Sequence, residues 1–99
     1  MRIIWLEEAE RDLDRIVEYI AEDNPAAALS VLSTMREAPR VLLEHPRIGR
    51  PGRVEGTREL VVSGLPYILP YEIRDQDIRI LAVMHTSRKW PDTFDNLNS

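Results

Sequence analysis

The chain has 99 residues, a formal charge of −4, 43% hydrophobic and 30% charged side chains, and no cysteine. That length carries one hydrophobic core rather than two, the composition lies far from that of disordered chains, and the absence of thiols excludes a disulfide framework and a thiolate metal site. No apolar run approaches the roughly 18 residues of a membrane span, and the opening MRIIWLEEAERD lacks a signal-peptide pattern, so a cytoplasmic protein is expected.

The net charge conceals a division along the chain. Residues 1–24 hold eight acids against Arg2, Arg11 and Arg15, whereas residues 25–58 hold six arginines against three glutamates. Twelve of the thirteen basic residues are arginine, which suits bidentate contact with carboxylate or phosphate, although a GC-rich genome produces the same bias.

Residues 2–6 (RIIWL) form a short β-rich run that needs a sheet to satisfy its backbone. From 7 to 23 the period changes: Ala9, Leu13, Ile16, Val17 and Ile20 make one helical stripe, and Glu7, Glu8 and Glu10 sit where they complement the positive end of the helix. Asn24 and Pro25 restart the chain as N-cap and first helical residue, and 26–43 continue as a second helix with Ala28, Leu32, Met35, Leu42 and Leu43 on its buried side. So short a connection makes the two helices an antiparallel hairpin. Pro39 removes a hydrogen bond inside this pattern, predicting a kink or break between 36 and 39.

Residues 47–56 (RIGRPGRVEG) hold three of the four glycines and read as a loop carrying Arg47, Arg50 and Arg53. It is either a solvated connection or a mobile basic lip beside the sheet. Three β-rich runs follow, separated by Ser63-Gly64-Leu65-Pro66 and by Asp75-Gln76-Asp77, and they predict an antiparallel meander. Tyr67, Leu69, Tyr71 and Ile73 share one face of the middle strand, and in the third Ile78, Ile80, Ala82 and Met84 oppose Arg79, Leu81, Val83 and His85. The apolar face is expected under the helices and the mixed face partly open. Pro70, inside the middle strand, predicts a bulge.

The expected fold is therefore α+β with element order β-α-α-β-β-β: a two-helix hairpin on one face of a four-stranded antiparallel sheet, residues 2–6 joining the meander. One domain spans 1–92, with 93–99 as a C-terminal tail.

Gly49, Gly52, Gly56 and Gly64 fit no phosphate loop, and His45 and His85 have no paired ligand spacing, so neither a cofactor nor a metal is expected. No nucleophile elbow surrounds Ser63 or Ser87. The group that could carry chemistry is Arg58, Glu59, Tyr67, Tyr71, His85, Arg88, Lys89 and Trp90. A metal-independent ribonuclease needs a proton acceptor, a proton donor and cations, which His85, Glu59 and Arg58 could supply while aromatics stack on bases. Equally, Tyr67 and Tyr71 belong to a core, and Glu59 pairs with an arginine across the sheet.

Trp5, Ala9, Asp12-Leu13, Ile16 and Tyr19-Ile20, then Pro46 with Gly49-Arg50, then Gly56 to Leu60, Pro66-Tyr67, Pro70-Tyr71 and Val83 to His85, leading to Arg88-Lys89-Trp90-Pro91, resemble toxins of the RelE/ParE superfamily. The resemblance covers most of the chain and implies the toxin half of a bacterial type II toxin–antitoxin (plasmid stabilisation, addiction) module, which arrests growth and is held by its antitoxin in a hetero-oligomer. It implies one of two targets: the ribosome and its mRNA, cut by RelE-like ribonucleases, or DNA gyrase, poisoned without catalysis by ParE-like toxins. The run Tyr67-Ile68-Leu69-Pro70-Tyr71 of the middle strand carries no Arg or Lys, and the chain lacks a terminal tyrosine pair, so the resemblance leans to the ParE-like branch. In the ribonuclease case His85, Arg58 and Glu59 would be catalytic. Target or antitoxin binding would fall to Arg47, Arg50, Arg53, Arg88, Lys89 and Trp90. A degenerate toxin surviving as a binding module is a third reading.

Overall fold

A computed structural model describes residues 1–87. In chain order the elements are β1 (Ile3–Trp5), α1 (Glu7–Asp23), α2 (Pro25–Glu37), a 3-10 turn (Ala38–Leu43), β2 (Arg50–Pro51), β3 (Arg58–Val61), β4 (Tyr67–Arg74), β5 (Asp77–Ile80) and β6 (Met84–His85). The helix hairpin packs on a sheet whose strand order is β1-β5-β4-β3-β2, with β6 also pairing with β4. The α+β expectation holds. The boundary placed at residue 92 lies outside the described residues.

The helix break falls where proline demands it. Asn24 caps α2 by accepting the Ala27 N–H at 3.0 Å, and the helix ends at Glu37, two residues before Pro39. The tighter 3-10 turn that follows changes the angular phase, so Leu42 is buried but Leu43 is not, contrary to the stripe read from sequence.

The sheet differs from the expected one in direction and extent. β1 runs parallel to β5, with Ile3 opposite Ile78 and Trp5 opposite Ile80, because the chain leaves β1 straight into the hairpin and returns at the opposite sheet edge. Two further strands of two residues each, β2 and β6, extend it.

The decisive irregularity lies opposite Pro70. Tyr71 pairs with Ile80, whereas Ile68 pairs with Met84, so Leu81, Ala82 and Val83 face only Leu69 and Pro70. In an antiparallel pair a residue's N–H and C=O point to the same neighbour. The Pro70 carbonyl accepts from the Leu81 N–H at 2.9 Å, so the N–H that proline lacks would have faced this interrupted stretch. The expected bulge therefore exists, in the strand facing Pro70 rather than in β4 itself. One extra residue exchanges the two faces beyond Ile80. Val83 joins the main core with Ile78 and Ile80, while Leu81 and Ala82 form a second cluster with Val54, against which Met84 packs; this reverses the alternation expected after Ile80.

That second cluster closes part of the sheet face expected to be partly open, where Glu72 and Arg79 remain half-buried. Ile68, Glu59 and Pro70 lie on the side away from the main core, yet all three are buried. On the helix side Ala9 and Leu13 of α1, Met35 of α2 and Leu42 pack on Leu69, Tyr71, Ile78 and Ile80. Arg36 joins three elements: its guanidinium binds both oxygens of Glu10 at 2.6 and 2.8 Å and lies 4.8 Å from the centre of the Trp5 ring.

Two predictions follow from these contacts. The β4–β5 turn holds Asp75 and Gln76 at φ of 53° and 65°, where a side chain is disfavoured, so Gln76→Gly should raise stability in urea unfolding by about 0.5–1 kcal/mol. The hydrogen bond from Arg36 holds the Glu10 carboxyl below its ordinary value of 4.5. The unfolded chain then takes up that proton first, so the contribution is present above about pH 4.5 and is lost as pH falls. Arg36→Gln should flatten this part of the acid side of a stability-against-pH curve.

Candidate functional site

The face exchange after Ile80 determines where His85 goes. Its position opposite Tyr67 brings its ring edge-on to that tyrosine, with centroids 5.5 Å apart and planes at 85°, on the helix side of the sheet. The two rings line a cleft of about 550 Å³ closed on its other side by Asp12, Arg15, Ile16, Tyr19 and Ile20 of α1. The Ser87 N–H approaches His85 Nδ1 at 3.2 Å and its hydroxyl lies 2.8 Å away, which makes Nδ1 an acceptor and puts the proton of a neutral ring on Nε2. Asp12, the one carboxylate among the described residues lining the cleft, is already engaged: it accepts the Val83 N–H at 3.0 Å and pairs with Arg15.

Arg58 and Glu59 are elsewhere. Arg58 stands opposite Tyr71, four residues along β4 from Tyr67, or about 13 Å at an ordinary strand rise. Glu59 projects from the other face of β3, keeps 4% of its side chain exposed, and accepts from Arg50 at 2.6 Å across β2–β3. The structure thus separates the three residues grouped as a catalytic set and realises the cross-strand pairing of Glu59 instead.

The basic loop is anchored to the sheet by hydrogen bonds. The buried Tyr71 hydroxyl accepts the Gly49 N–H at 3.0 Å and donates to the Pro46 carbonyl at 2.8 Å, while Arg58 Nη1 donates to the carbonyls of Arg47 and Gly49 at 3.1 and 2.8 Å. Burial pushes the Tyr71 phenol above its ordinary value of 10, so it stays protonated and able to donate. Any side chain at Gly49 would collide with this hydroxyl, 2.5 Å from where its Cβ would stand. Further on, Thr57 donates to the Val54 carbonyl and accepts the Gly52 N–H on its own carbonyl. Arg47, Arg50 and Arg53 are all exposed, Arg50 being the one committed to Glu59. Arg88, Lys89 and Trp90 lie outside the described residues.

A model of the ParE toxin of type II toxin–antitoxin systems, parDE, matches residues 3–90. The chain belongs to this family. It is 48% identical to the Y4kP protein of Sinorhizobium fredii over 91% of its length and 93% of that protein's. It is also 32% identical to toxin RelE2 of Caulobacter vibrioides over 88% of its own length and 97% of the relative's. A solved structure of the chromosomal ParDE system from P. aeruginosa superposes with a TM-score of 0.79 at 27% identity, covering 86% of this chain and 95% of that one. This is a type II toxin of the RelE/ParE superfamily, built as ParE toxins are.

Two features of this ParE-family site escaped sequence reasoning. Asp12 reads as one more acid on a solvated helix face, and only its place directly before the buried Leu13 hints that it points inward. Tyr71 reads as core, which it is, but nothing in its strand marks the hydroxyl as the anchor of a loop more than twenty residues upstream. Removing that hydroxyl in Tyr71→Phe should cost about 1–3 kcal/mol in urea unfolding and speed hydrogen exchange at the Gly49 amide, since one donor and one acceptor lose their partner.

Proposed function

We propose that this ParE-family toxin acts in the cytoplasm as a non-catalytic poison of DNA gyrase, neutralised by a cognate antitoxin that binds it in a hetero-oligomer. The observation that carries the reading is the dispersal of the acid–base group. General acid–base catalysis needs its groups within hydrogen-bond reach of one reacting centre. His85 sits in the α1 cleft, Arg58 is held away from it by bonds from one of its nitrogens to loop carbonyls, and Glu59 is buried against Arg50 on the other face of the sheet. What remains is a surface suited to binding: a cleft walled by Tyr19, Ile16 and Ile20, and a fixed loop that holds Ile48 and Arg47 out to solvent. An antitoxin segment that orders itself on such a surface would exclude the target without altering the toxin.

The competing reading is a ribosome-dependent ribonuclease with His85 as its acid or base, and His85→Ala separates the two. The variant should inhibit purified gyrase in a supercoiling assay as the parent chain does, and should still arrest growth. Loss of arrest by about 10²-fold or more, with gyrase untouched and mRNA cut on the ribosome by the parent chain alone, would establish catalysis in place of gyrase poisoning.

A further inference from the structure

Most arginines among the described residues stand against a carboxylate, as Arg36 does against Glu10 and Arg50 against Glu59. Arg47 and Arg58 do not, and they converge. Both line a cleft of about 330 Å³ floored by Gly56, Thr57 and Ile73, and both lie near enough to the Tyr71 hydroxyl to act on it electrostatically. The remaining charge in that cleft, Glu72, is compensated from outside it by Arg79 at 3.1 Å and Arg74 at 3.7 Å. Among the described residues the cleft thus holds two positive charges against one carboxylate already paired elsewhere, and the fold keeps Arg58 there with its bonds to the loop carbonyls and the loop with the Tyr71 anchor.

Arg58 is held but not exhausted. Its Nη1 serves the two loop carbonyls, while Nε and Nη2 have no acceptor among the described residues. No buried side-chain nitrogen or oxygen among the described residues lacks a partner, so these two donors reach solvent. They form the edge of the guanidinium that grips a carboxylate with two parallel bonds.

We propose that the Arg47–Arg58 cleft is an anion site that receives a carboxylate from an acidic segment of the antitoxin, an inference that rests on the toxin–antitoxin reading above. A polypeptide suits it better than a nucleic acid. A nucleic-acid backbone carries a phosphate at every residue and would bring that row past Glu72 on a chain whose net charge is already −4, whereas a polypeptide can place a single carboxylate. A single carboxylate answers both guanidiniums, and Ile48, 57% exposed beside Arg47, offers an apolar contact to the same amphipathic segment.

The test follows the arginine Nε–H signals of the full-length chain by NMR at low salt while hexaglutamate, inorganic phosphate or hexauridylate is added. Hexaglutamate should shift Arg47 and Arg58 together. Arg47→Gln, at an exposed position that leaves the fold intact, should weaken its binding by about fivefold. Unshifted signals, unchanged affinity in Arg47→Gln, or saturation by hexauridylate or free phosphate at lower concentration than by hexaglutamate would overturn the assignment. Growth arrest scored in parallel separates the two claims: arrest without a hexaglutamate shift removes the anion site alone, and a shift without arrest removes the gyrase-poison reading alone.

Discussion

Pro70 has no N–H, and the central strand therefore cannot keep a regular ladder on both of its sides. Along β3 the pairing of β4 runs unbroken from Arg58–Tyr71 to Val61–Ile68, because the proline's missing donor points the other way. Along the second side the ladder stops at Ile80 and resumes at Met84 with one residue gained. The Val83 N–H, displaced from the sheet, is taken up by Asp12 of α1, so the irregularity also fastens the sheet to the helix hairpin. His85 reaches the helix side only because of that extra residue; in an uninterrupted strand it would have faced away from α1.

The same economy governs the residues that first suggest chemistry. Tyr71 is a core residue by its ring and a loop anchor by its hydroxyl. Arg58 stitches the same loop, and Glu59, its neighbour in sequence, turns to the opposite face by the ordinary alternation of a strand and is compensated by Arg50. A buried carboxylate beside one arginine is a structural ion pair, costly to break but poorly placed for proton transfer to a bound substrate. The polar groups of the sheet thus hold a surface in shape, consistent with a family member whose work is binding.

Local chemistry carried much of the fold into view. The apolar stripe and the Asn24-Pro25 junction mark α1 and the start of α2, Pro39 marks the break, and the two turns bound β4 at both ends. What could not be read locally was phase and direction. Leu81, Ala82, Val83 and Met84 are all apolar, so either face assignment satisfies them, and only the partner strand decides. Likewise RIIWL announces a strand without saying whether its neighbour runs parallel, since that depends on where a hairpin more than thirty residues long returns the chain. Of the candidate site, the exposed arginines and His85 were legible as types. Their separation was not, because Arg58 and His85 are held four residues apart along β4 by registers set elsewhere.

Pulse labelling of DNA and protein synthesis, after the chain is induced without antitoxin in a susceptible bacterium, tests the central claim most directly. A gyrase poison stalls DNA synthesis and raises a damage response while translation continues. Prompt loss of translation, with mRNA cut in the ribosomal A site and DNA synthesis still running, would contradict the account and return His85 to a catalytic role.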